Sequence, residues 1–279
     1  MHPPVTDLII EAGKSDAAYW RDLWRYRDLF YFLAWRDFLV RYKQAVFGVL
    51  WAVLRPLMTM LIFVLIFSRV AGLPSNGVPY AILVLGGMLP WQFFATALSE
   101  ASGSLVANSQ LITKVYFPRI ILPASSVLVA LVDFAVTLTL LALAMAWYGY
   151  APPLRIVLLP VFVILALVAA LGPGLIAAAL NVKYRDFRFV IPFVVQFGLY
   201  VSPVGFQSAV IEDKLGYAAR LIYALNPMVG AIDGFRWCIG AETSLHITAL
   251  AVSILMSVAL FILGVRFFRR TEKTFADVV

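Results

Sequence analysis

Residues 109–119, SQLITKVYFPR, form the longest polar break between the second and third apolar runs of the sequence. The stretch mixes two cations, Lys114 and Arg119, with apolar and aromatic side chains, and Pro118 closes it. This pattern predicts a short amphipathic helix on a membrane surface that ends at the proline. Two interpretations remain open at this point: a handle for a soluble partner protein, or an interfacial loop whose cations reach the headgroups.

The composition around this stretch is typical of a polytopic helical membrane protein. Of the 279 residues, 63% are hydrophobic and 13% are charged, whereas soluble domains are about half apolar and about a quarter charged. The net charge of +7 does not indicate nucleic-acid binding, because basic residues of membrane proteins gather on cytoplasmic segments. The single cysteine, Cys238, excludes an internal disulfide. No cleavable signal peptide is predicted, so the first apolar span is expected to direct insertion.

Six apolar runs are long enough to cross about 30 Å of hydrocarbon. We place them near residues 49–70, 81–100, 120–147, 154–180, 189–210 and 247–268. Sixteen of the 22 Lys and Arg residues then fall on one side of the membrane and five on the other, with Arg55 inside the first span. Because basic residues accumulate in the cytoplasm, both termini are predicted to be cytoplasmic.

Residues 19–47, before the first span, predict one amphipathic helix in the headgroup plane. Aromatic residues recur there at three-, four- or seven-residue steps, and cations fall mostly between them. The alternative, a helix packed on a soluble domain, has no soluble domain in this sequence to receive it. The residues assigned to this interface helix are Trp35, Arg36, Phe38, Arg41 and Tyr42.

Residues 208–246 contain two apolar pieces that are too short to cross the membrane and are separated by Asn226 and Pro227. Two short helices that re-enter the outer leaflet fit this pattern, and an external cap of two helices is the alternative. Gly230 and Gly234 form a GxxxG pattern that permits close helix approach.

Polar residues inside the spans are candidate functional groups because they are costly in hydrocarbon. Asp133, near the middle of the third span, is either functional or a structural acid that is protonated or hydrogen-bonded to a neighbouring helix. Gln92 and Gln196 lie among aromatic rings, where they either line a passage for a sugar chain or join helices. Arg55 either snorkels to the headgroups or, with Arg41, meets a phosphate. No catalytic or metal-binding arrangement is recognisable.

Five segments carry a resemblance that covers about residues 26–269. They are YKQAVFGVLWAVLRPLMTMLIF from Tyr42, LPWQFF from Leu89, NSQLITKVYFPRIILP from Asn108, LNVKYRDF from Leu180 and LNPM from Leu225. In this order they resemble the membrane subunit of ABC-2 type polysaccharide exporters, which export O-antigen, capsule or teichoic acid. The third segment is the most specific. At Arg55 the chain departs from relatives that often carry a neutral amide.

The resemblance implies an all-α polytopic membrane protein. Six transmembrane helices are expected, together with an N-terminal amphipathic interface helix, a cytoplasmic coupling helix and two short re-entrant helices before the last span. The chain would divide into an arm with the interface helix (1–48), a six-span ABC-2 transmembrane domain (49–268) and a cytoplasmic tail (269–279). Within the domain, the coupling helix is expected at about 108–119 and the re-entrant region at about 208–246.

The resemblance also implies a working unit of two such subunits and two ATPase subunits in a bacterial cytoplasmic (inner) membrane. ATP and Mg²⁺ would be bound by the ATPase, so this chain is expected to hold no cofactor or metal and to be no enzyme. The expected substrate is a lipid-linked glycan from the inner leaflet, and no nucleic acid is expected as a partner. The alternatives are an ABC-2 permease for a lipid or drug-like substrate and, from another class, a membrane enzyme of glycan assembly.

Two sets of site residues follow from these expectations. The ATPase-coupling residues are Asn108, Leu111, Ile112, Lys114, Tyr116, Phe117, Pro118 and Arg119. The candidate substrate path, placed between two copies of the chain, comprises Arg55, Trp91, Gln92, Gln196, Phe197 and Tyr200.

Overall fold

A computed structural model describes residues 16–43, 48–72, 75, 77–184, 186–242 and 244–275 of the chain. Every regular element in this part of the chain is helical, so the predicted all-α fold is confirmed. The α-helices are α1 (Asp16–Arg25), α2 (Arg27–Lys43), α3 (Gly48–Phe63), α4 (Tyr80–Ala107), α5 (Ser109–Lys114), α6 (Ile121–Trp147), α7 (Leu159–Lys183), α8 (Phe187–Val201), α9 (Ala209–Leu215), α10 (Tyr217–Tyr223), α11 (Pro227–Ile239) and α12 (Ile247–Thr271). Short stretches of other helical geometry continue three of them: Val64–Val70 after α3, Leu154–Leu158 before α7 and Glu272–Thr274 after α12.

Five helical stretches are long and apolar enough to cross a membrane, which confirms the predicted polytopic membrane protein. They are Val53–Val70, Tyr80–Ala107, Ile121–Trp147, Leu154–Lys183 and Ile247–Thr274. The predicted fifth span, 189–210, is wrong in its length, because α8 has only 15 residues and ends at Val201. Ser202 leaves the helix with a ψ of 153°, as expected of a residue that precedes a proline, here Pro203.

The segment between α8 and α12 holds three short helices, whereas the sequence predicted two. The two predicted pieces correspond to α10 and α11, and α9 lies at the start of the predicted region 208–246. Gly216, with a φ of 85°, separates α9 from α10. Asn226 begins α11 by accepting a hydrogen bond from the backbone N–H of Met228, and Pro227 takes the first helical position.

The predicted interface helix consists of two helices, α1 and α2, that meet at Tyr26. Hydrogen bonds continue across this point, because the Tyr26 N–H donates to Asp22 and the Phe30 N–H donates to Tyr26. The break is therefore a local bend. The predicted last turn, residues 44–47, lies outside the described residues.

Helix α4 forms the centre of the bundle and packs against α6, α7 and α11. In the most apolar 18 residues of α4, 83% of the residues are buried inside the protein. The corresponding share is 11% in the first span and 22% in the last. A helix that is apolar on all sides is expected at such a central position. Each end of α4 lies next to a polar region of the molecule.

Glycines allow the closest helix contacts. In the predicted GxxxG pattern, Gly230 lies against α12, and Gly234 lies under the ring of Phe162 in α7. A pair that the sequence did not single out, Gly172 of α7 and Gly264 of α12, brings the two backbones directly together. Small residues at helix interfaces are the usual basis of such contacts in membranes.

Candidate functional site

The coupling segment, residues 108–119, is helical only in its first half. Helix α5 ends at Lys114, and Val115 is already extended with φ −131° and ψ 135°. The predicted helix of residues 108–119 is thus too long, because the chain must leave the helical region before Pro118. The second half of the segment presents its side chains from irregular backbone, so helical periodicity does not apply there.

The predicted coupling residues divide into an inward and an outward group. Ile112 and Phe117 are each 3% exposed and lie in an apolar cluster with residues of α2, α7 and α12. Pro118 is also buried. Lys114 is exposed, and Tyr116 is 50% exposed. The first group anchors the segment, and the second is available to another protein.

Arg36 connects the interface helices to the start of the coupling segment. Its Nη2 donates to Asn108 Oδ1 at 2.7 Å, and it also pairs with Asp37. Asn108 Nδ2 in turn donates to the Ser104 carbonyl in the last turns of α4, at 2.8 Å. Asn108, a predicted coupling residue, therefore joins α2 to α4.

Arg41 makes a second connection, from the last turn of α2 into the bundle. Its guanidinium pairs with Glu100 of α4 at 3.1 Å and with Asp133 of α6 at 3.0 Å. Tyr42 donates a hydrogen bond to the same Asp133 carboxylate, and burial together with this bond raises the pKa of Tyr42. Asp133 is thus hydrogen-bonded to a neighbouring helix, as the structural interpretation of this acid expected. Its partners were not predicted.

The other interface-helix residues lie on the surface of α2. Trp35 is 61% exposed, and its ring stacks on Phe38 with centroids 5.4 Å apart. Phe38 also contacts the ring of Tyr42. An exposed aromatic face beside cations suits the headgroup layer of a membrane.

A cavity of about 410 Å³ opens where α2, α3, α4 and α6 meet. Its polar lining residues are Arg41, Tyr42, Arg55, Thr59, Gln92, Thr96, Asp133 and Thr137. Trp91 and Phe93 contribute aromatic rings to the wall. Within the described part of the chain, Arg41 is paired with two carboxylates, whereas Arg55 makes no ion pair. The cavity therefore has a mostly apolar wall that carries several polar groups, among them one guanidinium free to bind an anion.

The predicted substrate-path residues fall in two places. Arg55, Trp91 and Gln92 line the cavity, while Gln196, Phe197 and Tyr200 lie on the exposed face of α8. Trp91 is 5% exposed and packs against α8. A Cβ placed on Gly198 of α8 would come within 2.5 Å of the Trp91 ring. Leu199 of α8 also lines the cavity, whereas Gln196, Phe197 and Tyr200 lie outside it.

A buried polar cluster near the other end of α4 was not foreseen from the sequence. Arg236 of α11 is completely buried. Its three nitrogens donate to the backbone carbonyls of Leu83, Val204 and Phe206, at 3.1, 2.6 and 2.6 Å. Asp233, one turn earlier, accepts from Ser208 at 2.6 Å. The pair of opposite charges within the apolar stretch of α11 was the only available signal.

Metal binding and thiol chemistry have little support in the described part of the chain. No group of three or more His, Cys, Asp or Glu side chains is placed there to hold a metal ion. Cys238 is buried in α11, where it packs as a small apolar side chain.

Comparisons with known proteins agree on one family. Residues 28–239 match the family model described as ABC-2 type transporter. The O-antigen export system permease protein RfbA of Myxococcus xanthus is 33% identical over 77% of this chain and 82% of its own length. A protein of the same name from Klebsiella pneumoniae is 27% identical over 90% and 95%. The polysialic acid transport protein KpsM of Escherichia coli is 22% identical over 71% and 76%.

Proposed function

Because this chain belongs to the ABC-2 type transporter family, we propose that it is the membrane subunit of an ATP-driven exporter of lipid-linked polysaccharide. The observation that carries this proposal is a cavity whose wall places a guanidinium (Arg55) and an amide (Gln92) beside an aromatic ring (Trp91). An unpaired guanidinium, an amide and aromatic rings match a substrate that has both a phosphate and sugar rings. An apolar lipid or drug would offer no polar partner to the Arg55 guanidinium and the Gln92 amide.

The passage for the glycan would form between two copies of the chain. The exposed face of α8 carries a row of aromatic side chains at helical spacing, namely Phe189, Phe193, Phe197 and Tyr200. Gln196 lies on the same exposed part of the helix. Flat aromatic faces suit a sliding glycan because they bind a ring without demanding one register. A second copy would therefore turn this face from a lipid contact into a wall of the passage.

The contact between the two ends of the described chain supports an even number of crossings. Tyr19 of α1 donates to the Glu272 side chain just after α12, so both lie on one side of the membrane. Five long spans alone would place them on opposite sides. A sixth crossing through α8 and the turn after it would place them on the same side, and the distribution of basic residues supports the cytoplasm as that side.

Force from an ATPase, which would bind ATP and Mg²⁺ itself, would reach the cavity by two routes. The coupling segment continues directly from α4, which lines the cavity. Arg41 lies both in the cavity wall and in the ion pairs that join α2 to α4 and α6. Movement of the coupling segment and interface helices would therefore change the cavity as a rigid-body shift of packed helices.

Tyr116→Ala tests the docking role of the coupling segment. The half-exposed ring is expected to be an anchor for the ATPase, so its loss should weaken the complex about tenfold or more. Co-purification with a candidate ABC ATPase from the same organism, and export of polysaccharide by the same cells, measure the effect. Tyr148→Ala is a matched control, because that ring is 53% exposed at the far end of α6. Equal ATPase binding by both variants would remove Tyr116 from the docking surface.

Gln92→Leu tests the cavity as part of the glycan path. Loss of one amide contact to the sugar, worth about 1 kcal/mol, should reduce the export rate about fivefold while ATPase binding stays unchanged. Thr139→Val serves as the control, because Thr139 lies on an exposed part of α6 outside the cavity. Unchanged export by the Gln92 variant would contradict a glycan path through this cavity and favour the lipid or drug permease.

A further inference from the structure

The end of the described chain, residues 268–275, folds back onto the coupling segment. Phe268 and Phe275 are buried, and their rings meet edge to face with centroids 5.4 Å apart. Both rings belong to the apolar cluster that contains Ile112 and Phe117. The end of the last helix and the segment after α4 therefore share one small core.

Arg119 fastens the coupling segment to this end of the chain. Its Nη1 donates to the backbone carbonyl of Glu272, and its guanidinium lies 6.0 Å from the centroid of the Phe275 ring. Hydrogen bonds from a charged donor are stronger than neutral ones. The Arg119 side chain thus points towards residues 268–275, although the sequence placed it among the residues that dock the ATPase.

Helix α1 is attached at the same place. The Tyr19 hydroxyl donates to Glu272 Oε2 at 3.1 Å, and the Arg269 guanidinium lies 4.5 Å from the centroid of the Tyr19 ring. Burial and the neighbouring Glu272 carboxylate raise the pKa of Tyr19, so the hydroxyl stays a donor at neutral pH. Glu272 consequently receives hydrogen bonds from both α1 and the coupling segment.

We propose that residues 268–275 position the coupling segment for the ATPase, so that α1, the coupling segment and the end of α12 move as one unit. This inference rests on the proposed function and adds positioning residues to it. Residues 115–119 are not helical and have no hydrogen-bond ladder of their own to resist a push. Because Phe275 and Arg119 hold them in place, residues 115–119 would transmit a movement of the ATPase to α4 and α12 instead of deforming.

Phe275→Ala and Arg119→Gln test this positioning role in the intact complex with the ATPase. Each should leave ATPase binding close to that of the wild type and lower the polysaccharide exported per ATP hydrolysed about fivefold, a coupling change typical of such networks. The double variant should lose little more than either single one, because both break the same attachment. Lys273→Ala is the matched control, since Lys273 is exposed in the same segment and should export normally. Phe275→Leu should restore part of the coupling by refilling the apolar site.

The outcomes separate this inference from the proposed function. If the wild type exports polysaccharide with its ATPase and Phe275→Ala exports equally well per ATP, residues 268–275 have no positioning role and the proposed function stands. If export falls only in proportion to ATPase binding, the end of the chain is a simple contact, which also overturns the inference. If the wild type neither binds an ATPase nor exports, both proposals fail together.

Discussion

Arg236→Met is expected to destabilise the folded bundle by about 5 kcal/mol. The substitution removes the guanidinium donor from three buried backbone carbonyls. Leu83 keeps its helical hydrogen bond within α4, whereas the carbonyls of Val204 and Phe206 lose this donor, at about 1–3 kcal/mol each. It also removes the positive charge one turn from the buried Asp233 carboxylate. Since folded proteins are stable by only about 5–15 kcal/mol, much of the variant should be degraded or unfolded in the membrane.

Cys238 supplies the measurement, because it is the single cysteine of the chain and is buried two residues after Arg236. Detergent-solubilised protein heated with a thiol-reactive dye should label when α11 unfolds. The Arg236→Met midpoint should fall by about 10 °C or more for a loss of this size. Arg266→Met, a change at an exposed position of α12, is the control and should keep the wild-type midpoint. A wild-type labelling profile for Arg236→Met would show that the three hydrogen bonds contribute little.

The long spans were predictable because each is a continuous apolar run, and a bilayer imposes one minimum length on all of them. The same rule failed for α8. The sequence stays apolar beyond Val201, but Pro203 ends the helix and the chain turns into the buried segment before α9. Apolar content therefore identifies the segments that avoid water, but it does not show where a helix ends within a continuous apolar run.

The Arg236 cluster could not be derived from hydropathy, because a hydropathy scale gives every arginine the same polar value wherever it lies in the fold. Its partners are backbone carbonyls on α4 and in the turn after α8, and a carbonyl has no residue-type signature. A completely buried guanidinium in an apolar helix is recognisable only once the three elements are packed together. The sequence nevertheless placed Asp233 three residues earlier on the same helix, which is a weak sign of a paired interior site.

The sequence located the segment between α4 and α6, but it did not show which of its side chains face inward. The sequence located residues 108–119 and its mixture of cations and rings. It did not separate Phe117, which is buried, from Tyr116, which is half exposed. Beyond Lys114 the backbone is extended and irregular. Neither the helical period of 3.6 residues nor the strand period of two residues therefore predicts which side chains face inward. Contact with the end of α12, more than 140 residues later in the chain, decides which ring turns inward.

The contact between α7 and α12 leads to the second large expected effect, from Gly264→Ala. A Cβ on Gly264 would collide with the Gly172 backbone, and one on Gly172 would lie 2.6 Å from the Leu260 carbonyl carbon. Both obstacles are backbone atoms, so no rotamer change relieves the collision. The helices would have to separate and lose packing along their shared length, at a cost of about 3 kcal/mol or more.

The comparison of Gly264→Ala with Gly103→Ala separates the effect of the close helix contact on stability from the effect of helix propensity. Gly103 lies in α4 with nothing within 4 Å of an added Cβ, so alanine there should stabilise the helix by about 1 kcal/mol. In the Cys238 labelling experiment the two variants should therefore shift the midpoint in opposite directions. If both raise it, α7 and α12 separate at little cost, and backbone contact is not what holds the last span to the bundle. If only Gly264→Ala lowers it, the backbone contact of the glycine pair holds α12 against α7.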